Sequence, residues 1–122
     1  MPAKRILVVD DEADIRDLIA LKLGSAGFDV SVAMDGNSGL REALAGNFDG
    51  IVLDVMMPGM SGIDVLHALR QAEISTPVLL LTAKAQERDI EAGFAVGADD
   101  YVTKPFSPRA LLARVNALLM RN

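Results

Sequence analysis

Short runs of apolar residues, each closed by a polar one, recur along this 122-residue chain and alternate with segments of a different spacing. Ile6 to Val9 run into Asp10 and Asp11, Ile51 to Leu53 into Asp54, and Val78 to Leu81 into Thr82. Runs of this length, bounded by turn chemistry, fit strands buried on both faces, which belong to parallel sheets covered by helices. Phe28, Val30 and Val32 instead alternate with Asp29 and Ser31, the period of a half-exposed edge strand. Tyr101 to Thr103 predict a short fifth strand.

From Ala13 the spacing turns helical, with Ile15, Leu18, Ile19 and Leu23 on one face and Gly27 as a stop. Leu40, Ala43 and Leu44 mark a second, short helix ending near Gly46. Ser61 is a candidate N-cap for a third helix carrying Ile63, Val65, Leu66 and Leu69, closed by Ser75, Thr76 and Pro77. A fourth, from Lys84 to Val96, has the weakest pattern: Ile90 and Phe94 share a face but Gly93 interrupts it, so an exposed and mobile helix is expected. Ser107 and Pro108 supply an N-cap and a first-turn proline for a fifth, whose apolar face is Leu111, Leu112, Val115, Leu118 and Leu119. Five strands alternating with five helices predict an α/β fold, a doubly wound parallel sheet with right-handed crossovers and helices on both faces.

Composition narrows the function. With 51% hydrophobic residues and five prolines, residues 1–122 read as one domain able to bury its own core. A formal charge of -5 argues against direct nucleic-acid binding by this domain, which would require a basic face. The chain has no cysteine and one histidine, which excludes disulfides and thiolate metal sites and fits a cytoplasmic protein. No apolar run approaches a membrane span, and the start is too short in apolar residues for a signal peptide.

In doubly wound sheets, ligands sit beyond the carboxyl ends of the strands. The polar residues collect there: Asp10 and Asp11 after the first strand, Asp54 ending the third, Thr82 ending the fourth and Lys104 after the fifth. In a 2-1-3-4-5 order the first and third strands are neighbours, so three carboxylates converge. Close carboxylates repel unless a cation intervenes, and a small set of hard oxygen ligands suits Mg²⁺. Lys104 adds a cation for a phosphoryl oxygen and Thr82 a hydroxyl donor. A carboxylate can attack phosphorus to form an aspartyl phosphate. Taken singly, each residue has a plainer role. Asp10 and Asp11 could cap a helix, Asp54 begin a turn, Thr82 favour a strand and Lys104 be a solvated charge. His67 reads as a surface helix residue without a relay role, and Met56, Met57 and Met60 as packing.

The segments VVDDE at 8–12, VLDVMMPGMSG at 52–62, LLLTAK at 79–84 and GADDYVTKPFSP at 97–108 closely resemble the receiver domains of response regulators in two-component signalling. The resemblance spans essentially the whole chain, and four ordered motifs are far more specific than one. It implies a flavodoxin-like three-layer sandwich in the order 2-1-3-4-5. It also implies that Asp54 accepts a phosphoryl group from a sensor histidine kinase, and that Asp10, Asp11, Asp54 and the carbonyl of Met56 hold Mg²⁺. Lys104 then contacts the phosphoryl group, Thr82 and Tyr101 form a switch pair, and the Lys104-Pro105 bond is cis. The surface of the fourth helix, fifth strand and fifth helix becomes the output face. Adding about -1.5 to -2 charges at Asp54 draws Thr82 inward and lets Tyr101 follow, a population shift between two packings.

The GADDY and KPF text is most similar to receivers attached to winged-helix DNA-binding domains, which implies a role in transcription regulation and dimers joined by charge pairs across that face. Asp99, Asp100, Arg114 and Arg121 match positions in two such pairs, whereas Ile90 and Ala110 stand where a third pair is usual. This leaves two readings, an altered homodimer or a docking face for another protein. A Mg²⁺-dependent phosphohydrolase is the enzymatic alternative, but Met56 occupies the place where such enzymes carry an acid/base Asp, so self-dephosphorylation is expected rather than substrate turnover. An interaction module that takes no phosphate is opposed by the full set Asp10, Asp11, Asp54, Thr82 and Lys104. Nucleotide binding is weaker still, without a P-loop or GxGxxG.

Overall fold

Apolar runs with a two-residue period on a parallel sheet send alternate side chains to opposite faces, and both faces must then be covered. The computed structural model, which describes residues 2–83 and 87–120, meets this requirement with five βα units. In chain order these are β1 (Arg5–Val9), α1 (Ala13–Ser25), β2 (Asp29–Ala33), α2 (Gly36–Ala45), β3 (Gly50–Asp54), α3 (Gly62–Gln71), β4 (Val78–Ala83), α4 (Glu87–Ala95), β5 (Asp100–Lys104) and α5 (Pro108–Met120). All strands are parallel in the order β2-β1-β3-β4-β5, the expected doubly wound, flavodoxin-like sandwich.

Alternation divides the core in two. Ile6, Val8, Val52, Leu79 and Leu81 pack under α1 and α5 with Ile19, Leu23, Leu111, Val115 and Leu118. Leu7, Val9, Ile51, Leu53, Val78 and Leu80 form the other layer with Val65, Leu66 and Leu69 of α3. Each fully buried Leu or Ile contributes roughly 1.5–3 kcal/mol relative to exposure.

Several local expectations are corrected. Leu18 and Leu44 are 44% and 50% exposed. Leu18 lies at the rim of the α1 stripe centred on Ile19 and Leu23, and Leu44 beyond the buried Ala43 of α2. Val32 is also exposed, because β2 is the sheet's outer strand and the neighbouring helices do not cover its end. Helix α2 begins at Gly36, well before Leu40, with Asp35 as its N-cap accepting from Ser38 N. The stretch 84–86 of the expected fourth helix lies outside the described residues. Within α4, Gly93 is a packing residue rather than an interruption. It is buried, and a Cβ there would collide with Leu80 Cδ1, so glycine lets the helix approach β4 closely. The helix is otherwise largely exposed, as expected, with Arg88, Glu91, Ala92, Phe94 and Ala95 facing solvent and Ile90 half-buried.

Candidate functional site

The register of the strands decides which polar residues meet. β1 pairs with β3 up to Val9 opposite Leu53, which places Asp10 and Asp54 side by side one residue further on. Both continue the α1/α5 face of the sheet: Asp10 follows Ile6 and Val8, and Asp54 follows Val52. Lys104 ends β5 opposite Ala83 and follows Val102 on the same face. Its long side chain reaches from β5 toward the ends of β3 and β1. The ammonium lies 3.1 Å from Asp10 Oδ2, 3.2 Å from Asp54 Oδ1 and 3.5 Å from Glu12 Oε1.

Asp10 is fully buried and the Asp54 side chain only 4% exposed. Asp10 spends Oδ1 on the backbone N–H of Glu12 at 2.9 Å, and Arg16 donates to its carbonyl at 3.0 Å, so the turn into α1 is tied to the end of β1. Burial and then the Asp10 charge push the Asp54 carboxyl up to about 7, although Lys104 acts in the opposite direction. Burial lowers the Lys104 ammonium, but Asp54 and Asp10 together outweigh it and hold the group above its ordinary value. The cluster carries more negative than positive charge. Asp10, Asp11 and Glu12 each bring a carboxylate oxygen within 4.8 Å of one another. An all-oxygen, acid-rich donor set beside a carboxylate that resists ionisation fits a hard divalent cation such as Mg²⁺.

The loop after β3 shapes the floor of the site. Gly62 opens α3 so close to β3 that a Cβ would strike the carbonyl of Asp54, and its N–H donates to Val55 O at 3.0 Å. Ser61 completes a capping box with Asp64, and Gly59 takes a positive φ of 76°. The Pro-Gly turn therefore folds the chain back against Asp54. Met56 is 60% exposed, Met57 is buried in the core, and Met60 packs on it partly covered.

Thr82 is 1% exposed and follows Leu80 on the opposite face of the sheet, toward α4. Tyr101, opposite Leu80, is 36% exposed and meets Phe94 of α4 edge-on, with ring centroids 5.9 Å apart. The Lys104-Pro105 peptide is cis. Beside it a cleft of about 430 Å³ is lined by Tyr101, Pro105, Phe106, Ala110 and Arg114, among others. Ser107 caps α5 by accepting from Ala110 N at 3.0 Å, and Ala110 has no side chain to complete the box.

The residues expected at a charge-paired interface make contacts within the chain. Asp100 Oδ2 takes a hydrogen bond from Arg114 at 3.3 Å, and Asp99 accepts from Val78 N at 2.8 Å and from Arg70 at 3.4 Å. Arg121 lies outside the described residues. Sequence reasoning missed Arg70, whose guanidinium also donates to the carbonyls of Ile74, Thr76 and Gly97; no local pattern marks such a clamp. It also assigned nothing to Glu12, although the run of three acids was visible. His67 is exposed on α3.

Comparison with known proteins places this geometry. The family described as response regulator receiver domain matches residues 6–116. The chain is 50% identical over 119 residues to the alkaline phosphatase synthesis transcriptional regulatory protein PhoP of Bacillus subtilis, covering 98% of this chain and 50% of that protein. It is 45% identical over 119 residues to the DNA-binding response regulator MtrA of Mycobacterium tuberculosis, covering 98% and 52%. The chain thus spans about half the length of these relatives. Among solved structures, the receiver domain of Francisella response regulator 1452 superposes with a TM-score of 0.88 at 44% identity, covering 95% of this chain and 96% of that one. DrrB, a Thermotoga maritima OmpR/PhoB homolog, gives 0.85 at 38%, covering 96% and 52%. By sequence and fold alike, the chain belongs to the response regulator receiver domain family.

Proposed function

We propose that residues 1–122 form a single receiver domain that takes a phosphoryl group from a sensor histidine kinase onto Asp54 and relays that event to the surface of α4, β5 and α5. Receiver domains are signalling domains rather than substrate-turnover enzymes, and response regulators partner with sensor histidine kinases. The observation that carries the reading is the Lys104 ammonium, 3.1 Å from Asp10 and 3.2 Å from Asp54. It joins ends of three strands at the place where doubly wound sheets bind ligands.

In the proposed transfer, a carboxylate oxygen of Asp54 attacks phosphorus in line, the bond from phosphorus to the donor nitrogen breaks, and an acyl phosphate forms. Lys104 gives its hydrogen bonds to the phosphoryl oxygens, and the catalytic contribution is positioning and charge compensation. Receiver domains bind Mg²⁺ at an acidic pocket. Here Asp10, Asp11, Asp54 and the Met56 carbonyl are proposed to hold it, and when bound it supplies further neutralisation of phosphoryl charge. Water later attacks phosphorus and releases inorganic phosphate, restoring Asp54. Met56 offers no proton-transferring side chain for that step, consistent with self-limited dephosphorylation.

The proposed switch follows from the same sheet. Thr82 is buried at the end of β4 and Tyr101 sits half-exposed on the α4 side. A shift of the Thr82 hydroxyl toward the new phosphoryl group favours a Tyr101 position packed further inward. If this face meets a second copy through charge pairs, Asp100 and Arg114 must exchange their contact within the chain for one across the interface. Ile90 and Ala110 would add apolar surface. No helix among the described residues is long and apolar enough to cross a membrane.

Intact mass spectrometry after incubation with a small phosphodonor tests the central claim. One phosphoryl adduct that requires Mg²⁺ and disappears in Asp54→Asn is expected. An adduct that survives that substitution overturns the assignment.

A further inference from the structure

Glu12 stands at the mouth of the site, its carboxylate grouped with those of Asp10 and Asp11, but the phosphoryl transfer proposed above assigns it no step. It is the residue preceding α1, and its side chain makes no capping hydrogen bond there. Its own N–H is held by Asp10 Oδ1 at 2.9 Å, which fixes its backbone against the buried acid. The side chain is 59% exposed, and Oε1 reaches back to 3.5 Å from Lys104 Nζ. Lys104 is thus divided among two buried acids and one at the solvent edge.

We propose that Glu12 is a positioning residue for the Lys104 ammonium and sets an electrostatic threshold for anionic phosphodonors entering the site. This role rests on the phosphoacceptor reading of Asp54. The physical argument has two parts. An ammonium has three donors, and a phosphoryl group needing one or more of them must compete with every carboxylate already in reach. In addition, Glu12 presents a negative charge on the side from which a donor arrives. The distances from the shared ammonium place the Glu12 and Asp54 oxygens at most about 7 Å apart, a range at which unit charges near a protein surface still interact appreciably. Because Glu12 is exposed, the effect is modest and screened by salt, unlike the contacts of Asp10 and Asp54.

The test is the rate of adduct formation at Asp54, followed by intact mass at a Mg²⁺ concentration where the rate no longer depends on the metal. Glu12→Gln and Glu12→Asp are compared with wild type. With dianionic acetyl phosphate at low ionic strength, Glu12→Gln is expected to accelerate labelling about three- to tenfold, the range for removing one screened charge at this distance. The gain shrinks at high salt and is smaller with phosphoramidate, whose ammonium offsets part of the donor's charge. Glu12→Asp retains the charge and stays near the wild-type rate, which separates electrostatics from shape. An unchanged or slower Glu12→Gln, or a gain indifferent to salt and donor charge, overturns the role given to Glu12. Failure of the wild type to take label at Asp54 overturns the phosphoacceptor reading beneath it.

Discussion

Asparagine at position 54 removes the least comfortable charge in the molecule while preserving its shape. The folded Asp54 carboxyl sits at about 7 against an ordinary value of 3.8, with burial as the largest cause and Asp10 the next. A carboxyl whose folded value is raised opposes folding only where it must ionise. The penalty is absent below the unfolded value, grows between pH 4 and 7, and is complete above 7. At about 1.36 kcal/mol for each tenfold displacement, the ceiling is about 4 kcal/mol at pH 8. Little of this is lost to solvent screening, because the side chain is 4% exposed. Lys104 is not orphaned by the change, since Asp10 remains at 3.1 Å. Urea unfolding in chelator should therefore show Asp54→Asn more stable than wild type by up to about 4 kcal/mol at pH 8, and the difference should fall toward zero by pH 4. Adding Mg²⁺ narrows the gap by stabilising the wild type preferentially. A variant that is less stable at pH 8, or a difference constant from pH 4 to 8, would refute the reasoning.

Three further outcomes follow from single contacts. Gly62→Ala places a Cβ against the Asp54 carbonyl, backbone that cannot yield as a side chain would, so a loss of at least about 1–3 kcal/mol in urea is expected together with slower labelling of Asp54. Ser61→Ala removes half of the α3 capping box and should cost about 1 kcal/mol by the same measurement, with labelling preserved. Thr82→Ala should leave the mass adduct largely intact while abolishing the phosphorylation-linked change in tyrosine fluorescence, which reports on Tyr101 alone because the chain has one Tyr and no Trp. Equal loss of adduct and fluorescence change would show that Thr82 acts in transfer rather than in the switch.

Periodicity carried the alternation of strands and helices, while the family resemblance supplied the strand order. Buried-strand runs at Ile6, Ile51 and Val78 and helical stripes such as Leu111-Val115-Leu118 are local signals, because burying a face requires a repeat matched to the backbone geometry. The position of the acids and of Lys104 at strand ends was equally visible, since each follows directly from where an apolar run stops. What no local pattern contains is distance across the sheet. Register brought Asp10 beside Asp54, and the long Lys104 side chain spans from β5 to both, drawing in Glu12 as a third partner. The same holds for close approach and clamping. Gly93 interrupts the pattern of α4, yet Leu80 fills the space of its missing side chain. Asp99, expected as an interface charge, is held within the chain by Arg70 and the Val78 N–H, partners that lie 29 and 21 residues away. Pattern reports which side chains must leave water, but the partners that satisfy a buried charge or fill a gap come from other strands and helices, and only tertiary packing selects them.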